Sequence, residues 1–374
     1  AFARWRESHQ PFHWYTEFYG ILKGGGFDVI IGNPPYVEYK DIQSKYTIHN
    51  YQTQSCQNLF AYVLERCIQL GGESTRNGLI VPVSAVSTDR MVPLIHLLKH
   101  SSEALNIANF SWRPGKLFEG VNLQLTIILQ KIGFAGGGIK STKYTLWESA
   151  AREWIFPNLV FSNAYDNVLS GSIPKLGSSI ATSIFARLRS QDGTLQNSIT
   201  TNGNNRIFYR RGGLYWKVFV DFETGSSEEK IICLRPTVDR YALIAVLSSS
   251  LWFWYLMTTS DCRHLGNRDI STFPFDSDRI GARVIERLHE LGKEYVASLA
   301  QNAEQKVRVY KGTKAVDVLS FQVKKSKTII DEIDRTLAEH YGFTAEELDY
   351  IINYDIKYRM GEELGGEEQQ KEHA

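Results

Sequence analysis

The sequence lacks the patterns typical of secreted, zinc-binding or membrane-spanning proteins. Its 374 residues contain four scattered cysteines and no Cys-x-x-Cys pair. This argues against a disulfide framework and a zinc site, and it fits a reducing cytosol. No run of 18 apolar residues occurs, and no signal-peptide pattern opens the chain. We therefore expect a cytoplasmic, prokaryotic-type protein without a metal site or a membrane partner.

The chain also lacks an excess of charge. It carries 42 Lys and Arg against 41 Asp and Glu, for a net charge of +1. No overall basic field would hold it on nucleic acid, so any such contact must come from local patches. The length allows two or three domains, each with its own core.

The most informative stretch is Phe27–Tyr36, Phe-Asp-Val-Ile-Ile-Gly-Asn-Pro-Pro-Tyr. Its apolar run, Val29–Ile31, is bounded by glycine and proline, which predicts a central strand buried on both faces. Proline has no N–H for a strand ladder, so Asn33–Tyr36 should form a rigid loop after that strand. Open α/β sheets bind ligands at this position.

The loop offers the chemistry needed to activate a planar amino group. The lone pair of such an amine is delocalised into its ring, and two acceptors on its N–H bonds would free it. The Asn33 side-chain oxygen and the Pro34 carbonyl are the candidate acceptors. Pro35 restricts the loop backbone and so preorganises that carbonyl. Tyr36 offers a flat face to a base outside the duplex stack. The structural alternative is a proline-rich turn.

The motif Asn33-Pro34-Pro35-Tyr36 resembles the catalytic motif of S-adenosylmethionine-dependent amino-methyltransferases. The wider run resembles gamma-class DNA adenine-N6 methyltransferases, the TaqI-like and type IIG restriction-modification group. This resemblance implies S-adenosylmethionine as cofactor, double-stranded DNA as partner, and methylation of a flipped adenine. It makes the four motif residues catalytic. It also assigns Phe118 to the face of the base opposite Tyr36, although Phe118 could instead be a core anchor.

The cofactor half of such an enzyme does not fit upstream of the motif. The family needs a strand, a Phe-x-Gly-x-Gly loop and a helix there, and one strand-helix-strand unit takes roughly 30 residues or more. Only the residues before Asn33 are available, and Gly24–Gly26 precede a strand rather than follow one. We therefore expect the C-terminal portion of a longer enzyme, with most of the cofactor site in a missing N-terminal half.

Helical and strand patterns alternate over the first third of the chain. Helices are predicted at Leu59–Leu70 and Asp89–His100, and strands at Gly78–Pro82, Leu105–Phe110 and Leu123–Gln130. This rhythm predicts an α/β fold with a partial doubly wound, Rossmann-like sheet. The expected domains are a catalytic half at 1–140, an α+β target-recognition domain at 141–278, a helical region at 279–360 and a disordered tail at 361–374.

Two later segments have the composition of DNA-contacting loops. Asn202–Lys217 interleaves cations with aromatics and glycines, which suits phosphate and base contacts. A hairpin with a charged outer face would explain the composition of Asn202–Lys217 equally well. Asp261–Phe275 resembles the recognition turn of the same family. The candidate DNA-binding residues are Arg206, Arg210, Arg211, Lys217, Arg263, His264, Asn267 and Arg268.

The remaining C-terminal patterns are mainly helical. Tyr241–Tyr255 is apolar throughout and predicts a buried helix. Arg279–Tyr310 and Val316–Tyr341 have apolar residues at helical steps, and Thr344–Glu347 is a capping box.

Two other functions stay open at this point. Asn-Pro-Pro-Tyr also occurs in methyltransferases that modify a protein glutamine or an RNA guanine, since those substrates present a planar amine. Such enzymes are usually compact, so the long C-terminal region disfavours them. Alternatively, the chain could be a specificity fragment that binds DNA without catalysing anything.

Overall fold

The computed structural model describes residues 2–10, 12–134, 136, 138–169, 171–213, 215–263, 265–308 and 316–361. The chain divides into two compact units, Ala1–Lys175 and Leu176–Ala374. Residues 141–175 group with the first unit, while the four-part division predicted above stays a prediction. The predicted tail, 361–374, lies outside the described residues except for Gly361.

The first unit is built on a mixed six-stranded sheet with the order β1-β2-β4-β3-β5-β6. The pairs β1–β2 and β3–β5 are parallel, and the other three pairs are antiparallel. The α/β class is therefore confirmed, but the sheet is mixed rather than uniformly parallel. Its strands are β1 (Phe27–Gly32), β2 (Gly71–Pro82), β3 (Ser102–Phe110), β4 (Leu125–Ile132), β5 (Ile139–Thr145) and β6 (Ser162–Asn163).

The described residues of this unit form five α-helices, and α4 is the best predicted of them. Its observed bounds, Leu59–Leu70, are those expected, and Asn58 caps it by accepting from the Phe60 N–H. The expected helix at Asp89–His100 is split, because a 3₁₀ turn at Asp89–Met91 precedes α5. The helices are α1 (Phe2–His9), α2 (Trp14–Glu17), α3 (Tyr19–Lys23), α4 (Leu59–Leu70) and α5 (Val92–Ser101).

The expectation that β1 is a central strand buried on both faces is wrong for this chain. Among the described strands, β1 has β2 as its single partner and forms one edge of the sheet. Val29 is 55% exposed and Ile31 is 81% exposed. An apolar run indicates that a strand can be buried, but which neighbour covers it depends on residues far away in sequence.

The second unit contains a four-stranded antiparallel sheet with the order β7-β10-β8-β9. Among the described residues of this unit, one α-helix precedes the sheet in sequence and seven follow it. Its strands are β7 (Ile199–Thr200), β8 (Arg206–Arg210), β9 (Phe219–Val220) and β10 (Glu229–Leu234). Its helices are α6 (Ser179–Arg189), α7 (Arg240–Ser248), α8 (Ser250–Thr259), α9 (Asn267–Ser271), α10 (Ala282–Gln301), α11 (Lys327–Tyr341), α12 (Ala345–Ile352) and α13 (Ile356–Met360).

The predicted apolar helix over Tyr241–Tyr255 is two helices, α7 and α8, bent by 62°. The break falls at Ser249, whose hydroxyl caps α8 by accepting from the Trp252 N–H at 2.9 Å. Within the described residues, no single helix has the length and apolarity to cross a membrane, and this bent pair meets those criteria only when both helices are taken together.

The predicted helix Arg279–Tyr310 is wrong beyond Gln301. A β-hairpin follows instead, formed by β11 (Ala303–Arg308) and β12 (Val316–Phe321). In β12, the alternating Val316 and Val318 favour a strand, and β11 pairs with it along its whole length. The capping box is confirmed: the Thr344 N–H donates to Glu347 at 2.8 Å, and Thr344 Oγ1 accepts from the Glu347 N–H.

Candidate active site

The Asn33–Tyr36 loop begins where β1 ends, because Gly32 is the last residue paired with β2. The two prolines that follow cannot donate to a ladder. Asn33 and Pro35 are exposed, Pro34 is buried and Tyr36 is half-buried. The Asn33 side chain is therefore accessible to a partner, whereas the backbone next to it is packed.

Tyr36 connects this loop to the sheet. Its hydroxyl donates to Asn33 Oδ1 at 2.7 Å and lies 3.1 Å from the Ile80 carbonyl oxygen on β2. Burial raises the pKa of Tyr36 to about 12. The hydroxyl thus stays protonated and can donate at any pH near neutrality.

Phe118 and Tyr36 pack against the same apolar cluster in the first unit. The two residues are far apart in sequence, yet both contact this cluster as partly buried side chains. These are the two aromatics that the family resemblance assigns to opposite faces of a base, and both assignments stay predictions. The fully buried core of the cluster consists of Ala108, Phe110, Leu117, Leu125, Trp147 and Ile155.

The loop before Phe118 is held by residues to which the sequence had assigned no role. Arg152 donates to the carbonyl oxygens of Lys116 at 3.0 Å and Leu117 at 2.6 Å. The Gly115 N–H donates to the Trp147 carbonyl at 2.7 Å, and a Cβ on Gly115 would lie 2.7 Å from Trp147. Nothing in the local pattern around Arg152 signals this contact, because its partners lie more than 30 positions upstream.

The segment after the motif is held by an ion pair. Arg90 contacts both carboxylate oxygens of Glu38 at 2.7 Å, and Asn58 donates to the same carboxylate at 3.2 Å. The hydrogen bond from Arg90 lowers the pKa of Glu38. This bidentate ion pair connects the segment that follows the motif, at Glu38, to the 3₁₀ turn Asp89–Met91 that precedes α5.

A groove of about 920 Å³ lies beside the motif loop. Asn33, Pro34 and Pro35 form part of its wall, and most of the rest is apolar, including Val29 and Ile31. None of the described residues that line it is Asp or Glu. S-adenosylmethionine has ribose hydroxyls that need acceptors, so these residues do not fit the cofactor by themselves.

The two predicted DNA-contacting segments lie next to each other in the second unit, since the Leu265 N–H donates to the Arg211 carbonyl at 3.2 Å. Arg206, Arg211, Arg263 and Asn267 are exposed, and Arg268 is half-buried. Arg206 also donates to the Gly203 carbonyl at 2.7 Å. His264 lies outside the described residues.

The candidate cations Arg210 and Lys217 also contact the protein itself. The guanidinium of Arg210 donates to the Leu319 carbonyl on β12 and lies 5.4 Å from the centre of the Phe321 ring. Lys217 is buried, its ammonium lies 2.6 Å from the Gly213 carbonyl, and burial lowers its pKa to about 8. Direct DNA contact by Lys217 would require the loop around it to open, and all eight DNA-binding assignments stay predictions.

Among the described residues, no group of three or more His, Cys, Asp or Glu side chains could hold a metal ion.

The sequence comparisons match about a third of the chain. Residues 2–114 match the family described as Eco57I restriction-modification methylase. A protein of Methanocaldococcus jannaschii described as a "type II restriction enzyme and methyltransferase" is 29% identical over 123 residues. Those residues are 33% of this chain and 10% of the relative, so the chain spans only about a tenth of that protein.

Similarity to solved structures extends over more of the chain, and a shared fold is indicated by MmeI. The type IIL restriction-modification enzyme MmeI, solved in complex with DNA, has a TM-score of 0.51 at 11% identity, over 93% of this chain and 58% of its own. The type IIG restriction endonuclease BpuSI has a TM-score of 0.32 at 12% identity, over 87% of this chain and 54% of its own. Residues 2–114, which contain the Asn33–Tyr36 loop, thus match a restriction-modification methylase family.

Proposed function

We propose that this chain is the amine-activating and DNA-recognising portion of a site-specific DNA adenine-N6 methyltransferase of the gamma class. Its partner is double-stranded DNA, and S-adenosylmethionine is the methyl donor. The proposal rests mainly on one observation: Tyr36 and Phe118 pack on one apolar cluster beside the accessible amide of Asn33. An aromatic pair next to an amide acceptor suits a flat base with an exocyclic amino group.

In this proposal each motif residue has a separate role. Asn33 Oδ1 and the Pro34 carbonyl accept the two N–H bonds of the adenine amine, which concentrates its lone pair on nitrogen. Pro35 keeps the Pro34 carbonyl in place, and the rings of Tyr36 and Phe118 hold the base. The acceptors are fixed before the base arrives, so little reorganisation is needed when charge develops on the amine.

We also propose that a further part of the same enzyme completes the cofactor site. The unpaired edge of β1 and its exposed Val29 and Ile31 support this, because an exposed apolar strand edge is normally covered in a stable protein. The groove without carboxylates points the same way, since the ribose acceptors must come from elsewhere. This chain alone should therefore bind DNA without transferring methyl groups.

The test is transfer of labelled methyl from S-adenosylmethionine to mixed genomic duplex DNA. The full-length protein and this chain alone would each be assayed beside an Asn33→Ala variant, with Asn353→Ala, at an exposed asparagine after α12 in the second unit, as a matched control outside the proposed site. We expect label on DNA adenine from the full-length protein only, with a loss of about 100-fold or more in Asn33→Ala. Methyl transfer by this chain alone would contradict the claim that its cofactor site is incomplete.

The same assay separates the other two functions. If label appeared on protein glutamine or RNA guanine and none on DNA, the proposed substrate would change from DNA adenine to that protein or RNA. A DNA-binding fragment without a catalytic role is favoured by the incomplete groove. It would be established if Asn33→Ala left the activity of the full-length protein unchanged while the isolated chain bound duplex DNA.

A further inference from the structure

The hydroxyl of Tyr36 contacts two oxygen acceptors at once. It donates to Asn33 Oδ1 at 2.7 Å and lies 3.1 Å from the carbonyl oxygen of Ile80. The first acceptor is on an exposed loop side chain, and the second is part of strand β2. The hydroxyl therefore ties a side chain with rotational freedom to the rigid backbone of the sheet.

Tyr36 is itself held at both ends. Its ring packs against the apolar cluster that includes Phe110 and Trp147, and its hydroxyl is fixed by the two oxygens. The raised pKa of Tyr36, about 12, keeps the hydroxyl a donor at neutral pH. Since a phenol has one proton for two acceptors, the Asn33 oxygen and the Ile80 oxygen share it.

We propose that the Tyr36 hydroxyl is a positioning group that holds the Asn33 carboxamide in place through Ile80, independently of the contact between the Tyr36 ring and the base. This rests on the proposed function. An amide oxygen has two lone pairs, so the hydroxyl occupies one and leaves the other for the amino group of the substrate. Without the hydroxyl, the exposed Asn33 side chain would rotate among its rotamers, and the acceptor would be out of place in most of them.

Tyr36→Phe separates the two roles, because it removes the hydroxyl and keeps the ring. In the full-length protein we expect its single-turnover methylation rate to fall by about tenfold to a hundredfold. Base flipping would be followed by the fluorescence of 2-aminopurine in place of the target adenine, at a site located by sequencing DNA methylated by the wild type. That signal and the KM for DNA should stay within about twofold of wild type. Tyr36→Ala should lose both rate and flipping signal.

Tyr39→Phe is the matched control, because the Tyr39 hydroxyl bonds only to loop backbone, at Tyr46 and Ile48. It should leave rate and flipping unchanged. In an Asn33→Ala background, Tyr36→Phe should have no further effect on the residual rate, because the hydroxyl acts through Asn33.

Three results would overturn the positioning role: a wild-type rate in Tyr36→Phe, a parallel loss of flipping and rate, or a full further loss in the Asn33→Ala background. Failure of the proposed function looks different. In that case the wild type transfers no methyl to adenine, or Asn33→Ala is fully active, whatever Tyr36→Phe does.

Discussion

The candidate DNA-binding cations differ in whether their charged groups are exposed to solvent or buried against backbone carbonyls. Arg211 and Arg263 are exposed on adjacent segments of the second unit. Lys217 points inward, where its ammonium donates to backbone carbonyls and fixes the turn that contains Gly213. A buried cation that satisfies carbonyl oxygens stabilises a loop, whereas an exposed one can displace counterions from phosphates.

Arg211→Ala and Lys217→Met should therefore affect DNA binding differently. For Arg211→Ala we expect weaker binding and a salt slope, log K against log[salt], smaller by about one. For Lys217→Met we expect an unchanged slope and a loss of about 1–3 kcal/mol in stability, because carbonyl oxygens lose their donor. Fluorescence anisotropy of a labelled duplex at several salt concentrations and urea unfolding measure the two effects. A reduced slope in Lys217→Met would mean that its loop opens on DNA.

The contact from Arg152 to the loop before Phe118 gives a second residue-scale expectation. Under the proposed function, Arg152→Ala frees two carbonyl oxygens and loosens the support of Phe118, so the flipping signal should weaken and the methylation rate fall by about tenfold. Glu153→Ala, on the same exposed turn, is the control and should change neither. An unchanged flipping signal in Arg152→Ala would show that Phe118 does not depend on this support.

Every residue of helix α8 is buried, so the N–H groups of its first turn must find hydrogen-bond acceptors within the protein. Ser249 supplies one, and the Asp334 carboxylate accepts from the Ser250 and Leu251 N–H groups at 3.2 and 3.0 Å. Burial outweighs these bonds and raises the pKa of Asp334 from 3.8 to about 6.

This predicts a pH dependence of stability. The folded state holds the proton of Asp334 more tightly than the unfolded chain does. The stability that protonation contributes is therefore complete below about pH 4 and is lost as the pH rises through about 6. Asp334→Asn should remove this decline, which amounts to about 3 kcal/mol at most. Urea unfolding from pH 4 to 7, with Asp331→Asn on the same helix as control, would measure it. An identical decline in Asp334→Asn would assign it to another group.

Elements with local signals were the predictable ones. The bounds of α4 and the capping box at Thr344 follow from caps and periodicity within a few residues. The hairpin β11–β12 was missed, because short apolar runs satisfy helical and strand spacing alike. The motif loop could also be predicted from neighbouring residues, because two prolines follow the apolar run. The support that Arg152 gives to the Phe118 loop could not, because it is made by contacts between distant segments.

At the scale of the whole molecule, the described chain has an apolar strand edge without a neighbour. Val29 and Ile31 on β1 and Leu129 on β4 are largely exposed. A Cβ on Gly78 would touch both Leu129 and Ile31, which places these two side chains on the same face of the sheet. An exposed apolar patch on a sheet face beside an unpaired edge strand is a predicted site of association.

Ile31→Lys should therefore have opposite effects in two contexts. In this chain alone it should raise the monomeric fraction in size-exclusion chromatography, because the charge blocks edge association. In the full-length protein it should lower the Tm, because a charge would be buried where the proposed cofactor half covers β1. Ile231→Lys, at an isoleucine 47% exposed on β10, is the control and should not lower the Tm. An unchanged Tm in full-length Ile31→Lys would argue against a covered β1.

The division into two units has a consequence for how new specificities arise. Asn33, Tyr36 and Phe118 all belong to Ala1–Lys175, whereas the candidate DNA-reading cations all belong to Leu176–Ala374. Under the proposed function, recombination that replaces the second unit would change which sequence is modified and leave the amine chemistry intact. Related strains could then diversify their recognition sites by exchanging one gene segment, while selection preserves the other.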